Sequence, residues 1–138
     1  MTSNARITAL RYVMIATGII FTFCIYPLTK LWTSGWSWGT GHSHYLLMIL
    51  GVYATLGVCL MAASRDPLAN RSLIWFTVWS SVVHAAVMAV EAIGDPAEAG
   101  HLVGDVPALL LVAGALAFLT PRGATVAAVK DIGSRRAA

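Results

Sequence analysis

Four long apolar runs decide what this chain can fold into. They cover residues 12–32, 45–63, 72–93 and 101–119. Each approaches the length a helix needs to cross a bilayer core of roughly 30 Å, about 20 residues. Inside hydrocarbon a segment must satisfy its own backbone hydrogen bonds, so runs of this kind become helices. Composition points the same way. Hydrophobic residues make up 58% of the chain and charged residues 11%, and six acids with nine bases cannot furnish the polar shell of a soluble domain of 138 residues. The expectation is an all-α membrane protein: a four-transmembrane-helix bundle, one domain over residues 1–138, with a short basic tail at 122–138. The first run is too long for the apolar core of a secretory signal and lacks a small-residue cleavage site, so it reads as a retained span.

The charges give an orientation. Arg6 and Arg11 precede the first run, Arg65 and Arg71 separate the second from the third, and Arg122, Lys130, Arg135 and Arg136 follow the fourth. Eight of the nine bases therefore share one side, and Lys30 stands on the other. The positive-inside rule puts that side, with both termini, in the cytoplasm. The net charge of +3 is then a topology signal rather than a nucleic-acid footprint, and the expected partner is the lipid bilayer. Cys24 and Cys59 both fall in apolar runs and read as small hydrophobes, not as a disulfide or zinc framework.

Punctuation sets the helix ends. Asp66-Pro67 reads as an N-cap followed by proline at a first helical position, which starts the third helix ahead of its span. Asp95-Pro96-Ala97-Glu98 repeats the device, so the fourth helix is expected from Pro96 with a kink at Pro107. Pro27 is expected to bend the first helix near its outer end. The loop WTSGWSWGTGHSH places Trp32, Trp36 and Trp38 where an interfacial aromatic belt belongs.

Polar residues inside the runs carry the functional signal. Thr77, Ser81, His84, Met88 and Glu91 follow the 4-3-4-3 spacing of one helix face. The same spacing in the second run selects His44, Met48, Gly51, Thr55 and Val58, and in the fourth His101, Asp105, Ala108, Val112 and Ala115. Small residues such as Gly51, Gly57, Ser81, Ala85, Ala113 and Ala117 would let helices approach closely. The expected picture is a bundle with an apolar inner half and an outward-facing polar pocket. His44, Glu91, His101 and Asp105 would form its rim, and His84, about 10 Å deeper than Glu91 by helical rise, its floor.

Ionisable residues within spans are costly and usually face a partner or a cavity. Three functions fit. One is a site for a small ligand or a transition metal, with His44, His84, Glu91, His101 and Asp105 as candidate ligands, or with His84, Glu91 and Asp105 doing acid–base work. Another is a structural or assembly subunit, homo-oligomeric or within a membrane complex, whose polar seam joins helices. The third is a proton or ion pathway, against which the inner halves of these stripes carry no ionisable residue. Ordinary packing competes at each position. Asp105 reads equally well as a cap, His101 as a snorkelling side chain, Glu91 as a solvated helix end, and His84 as a neutral ring bonded to a hydroxyl such as that of Tyr26 or Tyr53. The HxH pair of His42 and His44 is a weak metal motif, because i and i+2 do not share a helix face.

The stretches GHSHYLLMILGVYATLG, NRSLIWFTVWSSVVHAAVMA and GHLVGDVPALLL resemble a family of small, uncharacterised bacterial four-helix membrane proteins, a domain-of-unknown-function family. The resemblance spans roughly residues 27–111 and includes His44, His84, His101 and Asp105. It implies a four-helix fold in a bacterial inner membrane, and no particular reaction or cofactor.

Overall fold

A computed structural model describes residues 3–36 and 44–121. The order is α1 (Ser3–Ile19), a π-helical turn (Ile20–Cys24), α2 (Ile25–Leu31), α3 (Thr33–Trp36), α4 (His44–Ala63), α5 (Arg71–Gly94), a 3₁₀ segment (Pro96–Leu102) and α6 (Asp105–Leu119). The protein is all-α, with no strand among the described residues. Four helical stretches are long and apolar enough to cross a membrane: Asn4–Leu31, His44–Ala63, Arg71–Gly94 and Pro96–Leu119. The basic tail and Trp38 lie outside the described residues.

The bundle is an open ring. α1 packs between α4 and α6, and α6 packs on α5, while α4 and α5 barely touch. Its core runs from Leu10 and Met14 through Leu60, Ile74 and Val78 to Leu109 and Leu116, all buried. Large apolar side chains cover the outer surface, including Phe23, Val52, Phe76, Trp79, Leu111 and Phe118, as expected of a protein whose solvent is lipid.

Three local features fix the helix positions. First, Ile25 donates its N–H to the Ile20 carbonyl, which makes the π turn just upstream of Pro27. Proline cannot donate and its ring crowds the carbonyl four residues back, so the widened turn is where the sequence relieves that conflict. Second, α1 and α4 cross glycine on glycine. A Cβ on Gly18 would lie 2.7 Å from the Gly57 carbonyl oxygen, and one on Gly57 would lie 2.6 Å from that of Gly18. Third, Arg6 reaches across to the end of α6, donating from Nε to the Leu119 carbonyl at 3.1 Å and from Nη2 to that of Phe118. These are carbonyls that a helix C-terminus leaves open.

Several expectations are corrected. Asp66 caps a turn by accepting from the Ala69 N–H at 3.2 Å, and α5 starts only at Arg71. Asp95 accepts from the Ala97 N–H at 2.9 Å as foreseen, but the element it caps is 3₁₀. The backbone then turns at Val103-Gly104, and α6 begins afresh at Asp105. Pro107 therefore sits in a first turn, where a missing N–H costs nothing, and kinks no helix. Gly51 meets no neighbouring element, whereas Gly57 does. Cys24 and Cys59 are both free thiols, and Cys59 faces outward rather than inward.

Candidate functional site

The helix faces differ from the expected stripes in an instructive way. On α5 the buried residues are Ile74, Thr77, Val78, Ser81, Ala85, Met88 and Ala92. His84 is half-buried on the flank of this stripe and Glu91 is exposed. On α4 the expected inner stripe is the outer one: His44, Met48, Gly51, Thr55 and Val58 are all exposed. The helix is apolar all round, so no contrast between faces marks its inner side. His101 on the 3₁₀ segment and Asp105 at the start of α6 do face inward, with relative exposures of 0% and 7%.

His101 and Asp105 are the expected residues that the fold brings into direct contact. The 3₁₀ segment winds more tightly than an α-helix and ends at Leu102; two turn residues later α6 opens with Asp105. This places Asp105 Oδ2 at 2.9 Å from His101 Nδ1. Glu98 completes a string, its Oε2 lying 3.3 Å from His101 Nε2. The ring thus stands between two carboxylates, hydrogen-bonded to Asp105 and within ion-pair distance of Glu98.

The short helix α3 is locked against the 3₁₀ segment. Positions Gly100 and Gly104 have no room for a Cβ, because the Ser34 and Gly35 backbones press on them. This contact carries Trp36 inward. Trp36 and Asp105 line one cavity of about 200 Å³, together with Phe21, Tyr53, His84 and Met88 and with aliphatic side chains of α4 and α6. Tyr53 meets Phe21 edge-on at 4.9 Å and His84 edge-on at 5.6 Å. The Tyr53–His84 contact is thus between rings, not a hydrogen bond through the hydroxyl. Trp36 Nε1 and Asp105 Oδ1, in two of the residues that line the cavity, are buried and have no hydrogen-bond partner among the described residues. Leaving such groups unpaired costs about 1–3 kcal/mol each.

A second, wider hollow of about 610 Å³ lies along the gap between α4 and α5, lined by Ile49, Ser80, Val83, Val87 and Glu91. His84 and Met88 line both spaces, as does Ile49. The groove therefore runs from the lateral surface of the bundle to the wall of the cavity.

The expected five-residue cluster is not assembled. His44 is exposed at the start of α4, Glu91 opens onto the groove, and His84 stands between groove and cavity. No group of three or more His, Cys, Asp or Glu side chains suited to a metal ion forms among the described residues. His42 lies outside them. Sequence reasoning missed two participants. Glu98 was visible only as a capping acid, three residues before His101. Trp36 looked like one of several interfacial tryptophans, and nothing in the loop composition distinguished it.

A family of unknown function, DUF6632, matches residues 5–137. The chain belongs to this family. It is also similar to the bovine protein ferric-chelate reductase 1, with 36% identity over 84 residues, which are 59% of this chain and 14% of that protein. The chain thus spans about a seventh of that relative's length. No solved structure matches.

Proposed function

We propose that this member of the family is a membrane-embedded binding protein for a small, lipid-soluble molecule, taken up from the bilayer through the α4–α5 groove. The observation that carries the reading is the cavity itself: mostly apolar, large enough for a small ring, with the polar side chains of Tyr53, His84 and Asp105 among its lining residues. Pockets of this make-up are the default sites for small ligands. The Glu98–His101–Asp105 string supports acid–base work on the bound molecule, with Asp105 as the group nearest to it. The similarity to part of a ferric-chelate reductase accords with a membrane role and assigns no reaction.

The proposed location is the inner (plasma) membrane of a bacterium, as the family resemblance implies; the charge distribution supports cytoplasmic termini, with the cavity in the outer half of the bundle. The test is extraction of the purified protein, in lipid nanodiscs, with organic solvent and mass spectrometry of what is released. A stoichiometric small molecule in wild type, lost in Asp105→Asn while the bundle stays folded, is the expected result. Retention by that variant, or stoichiometric metal by elemental analysis in place of an organic ligand, would overturn it. Loss of assembly in the variant would favour the alternative, an assembly subunit whose polar seam is helix-joining contact.

A further inference from the structure

The α4–α5 groove is apolar along its length and charged at one end. Its α5 wall runs from Ser80 through Val83, His84 and Val87 to Glu91, one face of the helix. At about 1.5 Å per residue this wall is roughly 16 Å long, about half of a bilayer core of roughly 30 Å. The polar groups along it choose no particular ligand. Ser80 gives its hydroxyl hydrogen to the Thr77 carbonyl at 3.2 Å. His84 meets Tyr53 ring to ring at 5.6 Å, and a neutral imidazole both donates and accepts, so it excludes little.

Glu91 does discriminate. It is exposed in the last turn of α5, and its side chain makes no hydrogen bond or ion pair among the described residues. That last turn contains no base. A helix C-terminus carries partial negative charge and favours a cation, so the Glu91 carboxylate deepens a field that already lacks its counter-charge. Asp95 and Glu98 follow directly on the same end of the bundle. Lys30, the one base at this end among the described residues, lies over the Tyr26 ring at 5.7 Å.

Charge and shape together select an occupant. An anionic or phosphate-bearing head group would meet like charge. A neutral head group would leave the carboxylate at the lipid boundary without a partner, a costly position. A single-chain amine supplies a cation for Glu91 and hydrocarbon for the valines below it, in the orientation an amphiphile adopts within one leaflet. The volume of about 610 Å³ falls within the range of small-molecule sites, about 300–1,000 Å³.

We infer that the α4–α5 groove is a binding site for a single-chain amphiphilic amine, its ammonium at Glu91 and its chain along Val87 and Val83. The site is additional to the cavity, from which Ile49, His84 and Met88 separate it. The inference therefore holds whatever the cavity contains.

Dodecylamine and dodecanol, each ending in a trifluoromethyl group, share a chain and differ in head group. Each is titrated into the full chain in phosphatidylcholine nanodiscs and followed by fluorine NMR. Empty nanodiscs are the reference, and affinity is referred to the probe's concentration in the bilayer. The amine is expected to bind saturably and about five-fold more tightly than the alcohol, a margin that shrinks as salt is raised. Glu91→Gln, at an exposed position where folding is insensitive, is expected to remove the margin and leave the alcohol's affinity as it was. Val83→Trp, which fills the groove, is expected to weaken both probes. Equal affinities in wild type, or a margin that survives Glu91→Gln, overturns the amine assignment. Saturable binding that Val83→Trp leaves unchanged, or no saturable binding of either probe, overturns the groove site. Each of these failures leaves the cavity reading to its own test, the extraction and mass spectrometry above.

Discussion

His101 shows how much one side chain can depend on its neighbours here. It is wholly buried, with one ring nitrogen facing Asp105 and the other facing Glu98. Removing one partner of a buried charged or hydrogen-bonded pair leaves the other uncompensated, at a cost of about 3 kcal/mol or more. His101→Ala is therefore expected to lower stability by on the order of 3 kcal/mol, measured by reversible unfolding in mixed micelles. The double variant with Asp105→Ala should cost less than the sum of the two single changes. Additive costs would show that the contact is incidental. Glu91→Gln makes the contrast, because an exposed side chain should shift stability by no more than about 0.5 kcal/mol. The sequence made His101 and Asp105 legible, since two ionisable residues four apart in an apolar run must find company. It did not reveal that Glu91, equally conspicuous, faces outward. The face it shares with Thr77, Ser81 and Met88 does turn inward, but Glu91 lies in the last turn of α5, where the stripe runs out into the open groove.

At the level of elements, the α1–α4 crossing is the tightest joint in the bundle. Gly57→Ala should force these helices apart, because its new methyl would meet the Gly18 carbonyl oxygen at 2.6 Å. Overpacking of this kind typically costs about 1–3 kcal/mol. Gly51→Ala, six residues earlier on the same helix, meets nothing and should be neutral or stabilising by up to about 1 kcal/mol through helix propensity. Parallel unfolding titrations of the two variants check the pair, and similar behaviour would count against the crossing. Four spans, their order and the capped entry to the fourth could all be read from the sequence. The inner face of α4 could not, because a helix apolar on every side gives periodicity nothing to detect. The break before α6 was hidden for a different reason. Pro96 and Pro107 both read as helix-compatible, and only the close approach of Gly104 to Gly35 shows why the backbone must turn between them.

The molecule as a whole is a ring of helices with one seam left open, and its orientation decides what the seam is open to. If the eight bases grouped by the order of the apolar runs face the cytoplasm, a reporter fused after Ala138 should report the cytoplasm, and one inserted among residues 37–43 the opposite face. The reverse pattern would turn the cavity toward the cytoplasm. The seam itself makes a kinetic prediction. Val83 and Val87 are exposed on the groove but do not line the cavity, so filling the groove should obstruct passage without touching the binding site. Val87→Trp is expected to slow both entry and exit of a small fluorinated aromatic probe, 4-fluorotoluene, by similar factors while leaving its affinity within about two-fold, since an equilibrium constant depends on the end states and not on the path between them. Fluorine exchange NMR measures both rates. Unchanged rates in this variant would mean that the ligand reaches the cavity elsewhere, past α3 and Trp36 from the water side. A groove that conducts and a cavity that holds are separable functions in this fold, because His84, Met88 and Ile49 are the wall between them.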